Sequence, residues 1–165
     1  MPKSPALHES LSILLRELAD GASPDSCWIL NSNDQGLLRS LDKVSAAAAS
    51  EPAPAGGASI AAHVDHLRYG FSLLNRWSEG ENPFADADYS TSWSRGTVSE
   101  QEWATRRADL ASEIARYQRY IAEPRELDGI ELTGVLAGVA HLAYHVGAMR
   151  QIDRSLQGPR ARPGQ

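Results

Sequence analysis

Val135-Leu-Ala-Gly-Val-Ala-His-Leu-Ala-Tyr-His-Val-Gly-Ala-Met149 is the longest apolar run of the chain, and it holds two histidines four residues apart. A spacing of four places His141 and His145 on one face of a helix, one above the other. Leu132, Val135, Val139, Leu142 and Val146 make an inward stripe at helical spacing. Gly134, Gly138, His141, His145, Ala148 and Ile152 make the stripe beside it. The run has neither the alternation of a half-buried strand nor the length of a membrane span, so it reads as a core helix.

A second segment repeats the arrangement. Between Ser59 and Ser78, Ile60, Val64, Leu67, Phe71 and Leu74 form a core stripe, with Ser59, His63, His66, Gly70, Leu73 and Trp77 beside it. Should these two helices be neighbours, their histidine stripes face one cleft. Three imidazoles around a point, with a fourth position open, is the arrangement of a catalytic rather than a structural metal site. An HxxxH pair alone also fits a satisfied core or surface pair, so the second stripe carries the argument. Asp65, between His63 and His66, turns away from their face and reads as a solvated charge. His8 lies among polar residues and reads as exposed. Glu-x-x-His is absent, against a carboxylate-bridged di-iron bundle. Leu142 follows His141, so the zincin general base is missing too.

The rest of the chain is also helical in pattern. Ser4 and Pro5 predict an N-cap and first turn, with Leu7, Leu11, Leu14, Leu15 and Leu18 following and Gly21 closing the helix. A second helix is predicted over about 33–49. Glu51-Pro-Ala-Pro-Ala-Gly-Gly57 breaks the pattern. Residues 80–98 read as a long loop, anchored by Tyr89 and Trp93 and placed to cover the histidine cleft. Ser99 and Glu102 make a capping box, with Val98 and Trp103 in staple positions, opening a fourth helix that runs to Pro124. The fifth begins near Asp128 and ends around Leu156. No strand pattern or repeat is found. The expected fold is all-α, a four-helix bundle with one extra helix, in one domain over 1–156 with a disordered tail over 157–165.

Length, composition and charge are those of a globular protein: 165 residues, 42% hydrophobic, formal net charge −5. With no basic stripe, nucleic acid is not an expected partner. Glu9, Arg16 and Glu17 interrupt the first apolar residues, so no signal peptide is predicted, and a cytoplasmic location without a membrane partner is the expectation. Cys27, the one cysteine, reads as a packed small hydrophobe. Trp28, Trp77, Trp93 and Trp103 read as packing residues, and Asp86 and Asp88 as a solvated loop.

Ser59-Ile-Ala-Ala-His-Val-Asp-His-Leu-Arg68, then Trp77, Ser92-Trp93, Trp103 and His141-Leu-Ala-Tyr-His145-Val-Gly-Ala, resembles the DinB/YfiT-like superfamily over about residues 6–156. The resemblance implies a DinB-like four-helix bundle, often a homodimer, with a three-histidine site for zinc or nickel. His141 and His145 match its C-terminal pair. His66, which directly precedes the Leu of the pattern, matches the upstream ligand, and His63, one turn earlier, is the runner-up. Some members are thiol-dependent S-transferases or isomerases, others are described as metal hydrolases, and many have no known reaction. The expected function is thus a metal-dependent enzyme with zinc or nickel as cofactor and a small-molecule substrate or low-molecular-weight thiol as partner, a thiol-dependent S-transferase being the first reading. A hydrolase and a non-catalytic metal- or ligand-binding protein are the alternatives.

Overall fold

A computed structural model describes residues 5–93 and 96–160. The described residues form seven α-helices and three 3-10 turns, with no strand: α1 (Pro5–Asp20), α2 (Gly36–Leu41), α3 (Ala46–Ser50), α4 (Ile60–Ser78), α5 (Ser90–Trp93), α6 (Glu100–Ala122) and α7 (Gly129–Ile152). The all-α expectation holds. The predicted cap at Ser4 and the end of the tail, 161–165, lie outside the described residues. The chain divides into two compact units, one of Met1–Leu41 with Ile121–Gln165 and one of Asp42–Tyr120.

In the first unit, α1 packs on α2 and α7. Leu11, Leu15 and Leu18 of α1, Leu37 and Leu41 of α2, and Val135, Val139, Leu142, Val146 and Met149 of α7 are all buried, whereas Leu7, Leu14 and Leu132 of the predicted stripes are half-buried. α7 opens on a capping box in which the Asp128 carboxylate accepts from the Ile130 and Glu131 N–H groups and Glu131 accepts from the Asp128 N–H. By length and composition α7 is apolar enough to cross a membrane. The same composition serves a core helix, and its inward stripe is buried here.

Two glycines interlock where α1 turns towards α2. Gly21 has φ +115° and Gly36 φ +73°, both in the left-handed region. A Cβ on Gly21 would lie 2.5 Å from the Asp34 carbonyl oxygen, and one on Gly36 would lie 2.4 Å from the Gly21 nitrogen. Neither position can take a side chain. Asp34 completes the joint: its backbone oxygen accepts from the Ala22 N–H at 2.9 Å, and its carboxylate pairs with Arg150 of α7 at 2.8 Å.

Two expectations fail in this unit. His8 is buried, not exposed: its Nδ1 lies 3.0 Å from the Ile121 carbonyl oxygen and its Nε2 2.8 Å from that of Arg125. The ring ties the first turns of α1 to the link before α7. Trp28 is 72% exposed rather than packed. Its turn is held by the backbone instead, because the buried Glu17 carboxylate accepts from the N–H groups of Trp28, Ile29 and Leu30 at 2.9, 2.7 and 2.6 Å.

In the second unit, the core is built from Ile60, Val64, Leu67 and Phe71 of α4 and Trp103, Leu110, Ile114 and Tyr117 of α6. Phe71 meets Tyr117 edge to face at 5.6 Å, and the buried Asn75 amide donates to the Glu113 backbone oxygen at 2.9 Å. The Ser99–Glu102 capping box forms as predicted, and Val98 and Trp103 are buried beside it. The predicted helix over 33–49 is instead two short helices, α2 and α3. The Trp103 Nε1 donates to the Val44 carbonyl at 2.6 Å, and Ser45 caps a new start by accepting from the Ala48 N–H. The 80–98 stretch is no plain loop either: it contains a 3-10 turn (Pro83–Ala85) and α5, both packed on α4.

Candidate metal centre

Ser59 starts α4 by accepting the Ala62 N–H, and this cap sets the phase of the helix. His63 and His66 follow at a spacing of three, both buried at 8% exposure. Burial lowers the His63 pKa, because an imidazolium loses solvation there. Two aromatics of the 86–93 stretch lie against the His66 ring. Trp93 packs at 4.3 Å between ring centroids and 31° between planes, and Tyr89 at 5.3 Å and 49°. Trp93 also meets His63 edge-on at 5.5 Å. Tyr69 holds this cover in place: its ring edges Tyr89 at 5.3 Å, and its hydroxyl accepts the Asp88 N–H at 3.1 Å. Sequence reasoning placed Trp93 and Tyr89 over the histidine stripe as loop anchors; the stacking itself was not foreseen.

Asp65 departs from the expectation of a solvated charge. It is 3% exposed, and its carboxylate accepts from Arg68 Nε at 3.1 Å. Together with Glu102, Thr105, Arg106 and Asp109 the pair lines a polar cavity of about 290 Å³. The carboxylate is thus engaged by the Arg68 guanidinium.

On α7, the i, i+4 spacing brings the two rings together. The Nε2 atoms of His141 and His145 lie 2.9 Å apart, with ring centroids at 4.5 Å. His145 is 2% exposed, and burial lowers the His141 pKa. The shift favours the neutral His141 ring, the form that offers a lone pair to a metal. Tyr144 sits edge-on to His145 at 5.0 Å and is 69% exposed.

His141 and His145 thus set two imidazole nitrogens side by side on one helix, within reach of a single metal ion. The donor set fits. Ligands about 2.0–2.1 Å from a tetrahedral zinc stand about 3.3 Å from each other. The 2.9 Å pair need open only slightly. Imidazole donors suit zinc or nickel better than calcium or magnesium, which take oxygen ligands. The chain matches no protein-family model, no curated protein and no solved structure.

Proposed function

We propose that this chain is a metal-dependent enzyme of the DinB-like type, in which His66, His141 and His145 hold one zinc or nickel ion and a low-molecular-weight thiol takes the open position, as in a thiol-dependent S-transferase. The observation that carries the reading is the pair of ring nitrogens of His141 and His145, 2.9 Å apart on one helix. His66, buried on α4, is the third donor that the resemblance implies.

When bound, the ion would lower the pKa of a thiol or water beside it and so supply a nucleophile at neutral pH. The chain's own residues prepare that position. Burial keeps His141 neutral, so its lone pair is not taken by a proton. The HxxxH spacing fixes two donors on one rigid helix, which lowers the ordering cost of binding. Tyr89 and Trp93 cover one side of His66 and keep water from it. No carboxylate belongs to the histidine group among the described residues, and Asp65 is engaged by Arg68. A reaction that needs a carboxylate general base next to the metal is therefore less well served than attack by a thiol already ionised by the metal.

Elemental analysis of protein purified without a histidine tag tests the metal, and titration with low-molecular-weight thiols tests the cofactor. One zinc or nickel per chain together with saturable thiol binding is the expected result. Stoichiometric metal without thiol binding would leave a hydrolase or a metal-binding protein, and absence of metal would overturn the proposal.

A further inference from the structure

Trp93 differs from Trp103, the tryptophan that helps build this unit's core. Trp103 is 1% exposed and packs on all sides, whereas Trp93 is 40% exposed and lays its indole against one buried imidazole. It stands on a four-residue helix, α5, in which Ser92 is the buried residue. A tryptophan recruited for core burial would be turned inward; this one is turned onto His66.

The contact has a specific consequence. The Cβ–Cγ torsion of a histidine has broad, nearly two-fold wells, so an imidazole needs outside contacts to present one nitrogen rather than the other. An indole face at 4.3 Å and 31° restricts that rotation, and Tyr89 at 5.3 Å restricts it further. His63, edge-on to the indole at 5.5 Å, fixes where the indole can sit. Metal-ligating histidines are ordinarily oriented by a hydrogen bond to the second ring nitrogen. Stacked aromatics restrict the same rotation by contact.

We propose that Trp93 is a positioning residue for the metal centre: its indole face holds the His66 imidazole in the coordinating orientation, with Tyr89 as a second wall. The inference rests on the reading of His66 as a ligand.

The test uses the full chain, stripped of metal and titrated with Co²⁺, whose visible absorption reports ligand number and geometry. Three variants separate stacking from bulk: Trp93→Phe keeps a π face, Trp93→Leu keeps apolar volume, and Trp93→Ala keeps neither. Loss of an orienting partner typically weakens metal binding about 10–100-fold. Trp93→Leu and Trp93→Ala should show a loss of that size and a changed cobalt spectrum, approaching that of His66→Ala. Trp93→Phe should stay within about threefold of the parent chain, and cobalt should quench indole emission in the parent more than in Trp93→Phe. Unchanged cobalt affinity and spectrum in Trp93→Leu would overturn the inference while leaving the metal site standing. Equal loss in Trp93→Phe and Trp93→Leu would also overturn it, because stacking would then not be the cause. A parent chain that binds no cobalt would end the reading of the site itself.

Discussion

Replacing Glu17 with Ala should destabilise the protein by about 3 kcal/mol, although the residue is a charged one remote in sequence from every histidine of the candidate site. The carboxylate is 3% exposed and accepts three consecutive backbone N–H groups, those of Trp28, Ile29 and Leu30. A hydrogen bond to a charged group contributes about 1.5–3 kcal/mol net. The three do not simply add. The Trp28 and Ile29 bonds are only part-buried, so water can recover much of their loss, whereas the Leu30 bond is buried and its N–H would be left without a partner. Removing the side chain thus costs roughly one full buried charged bond plus fractions of two others, hence about 3 kcal/mol. For a chain of this size that is about 6–12 °C in melting temperature. Glu17→Gln, which keeps one acceptor oxygen but sets an amide NH₂ against the donors, should lose about half as much. Thermal melts followed by circular dichroism measure the first effect. Amide hydrogen exchange measures the second: the N–H groups of 28–30 should be protected in the parent, despite the exposed Trp28 and Ile29 side chains, and exchange freely in Glu17→Ala. A melting temperature within about 2 °C of the parent, with protection intact, would refute the reasoning.

Four further outcomes are expected. His145→Ala should lose its metal while keeping its helical circular dichroism, and full metal occupancy by elemental analysis would count against the ligand assignment. His8→Leu should cost about 1–3 kcal/mol, because the Ile121 and Arg125 carbonyls lose the group that bridges them, and chemical denaturation should show it as a lower midpoint. The metal-free protein should lose stability as pH falls. Burial lowers the pKa of His63 and His141 in the folded chain, so from about pH 6.5 downward the unfolded state binds more protons, while above about pH 7 neither state is charged there and the effect vanishes; denaturation midpoints that stay level between pH 7 and pH 5.5 would contradict this. Pairing of two copies, which the resemblance implies, would use the uncharged exposed face of α7 at Leu136, Ala137, Ala140, Tyr144 and Gly147, so Tyr144→Glu should lower the sedimentation coefficient at a given concentration, and no change would remove that face from consideration.

What could be read in the sequence was whatever depends on near neighbours. Helical stripes on α4 and α7, the Ser59 cap and the Ser99–Glu102 box are all set within one or two turns, and they alone put His66, His141 and His145 on stripes beside the core. The misreadings share one cause, a partner that the local pattern does not reveal. Nothing around His8 points to carbonyls more than a hundred residues away. Trp28 reads as a core residue until Glu17 is seen holding its turn. The helix over 33–49 keeps its apolar spacing, yet it breaks where Trp103, 59 residues on, takes the Val44 carbonyl. Asp65 looked solvated because Arg68 is a neighbour whose direction only the fold decides.

The order of the two units along the chain bears on how the protein is made. Asp42–Tyr120 is continuous, whereas the other unit is assembled from Met1–Leu41 and Ile121–Gln165. As the chain leaves the ribosome, α1 emerges first with Leu11, Leu15 and Leu18 ready for burial, but the α7 residues that share their core are made more than a hundred residues later. At about 5–20 residues per second, α1 waits several seconds for its partner. The intervening segment can fold on its own terms during that time, since its core residues lie within it. A chain stopped near residue 120 would present the apolar stripe of α1 without α7 and should be a chaperone client or aggregate. The His8 clamp, which needs residues 121 and 125, then marks the moment at which the amino terminus is released from that exposed state.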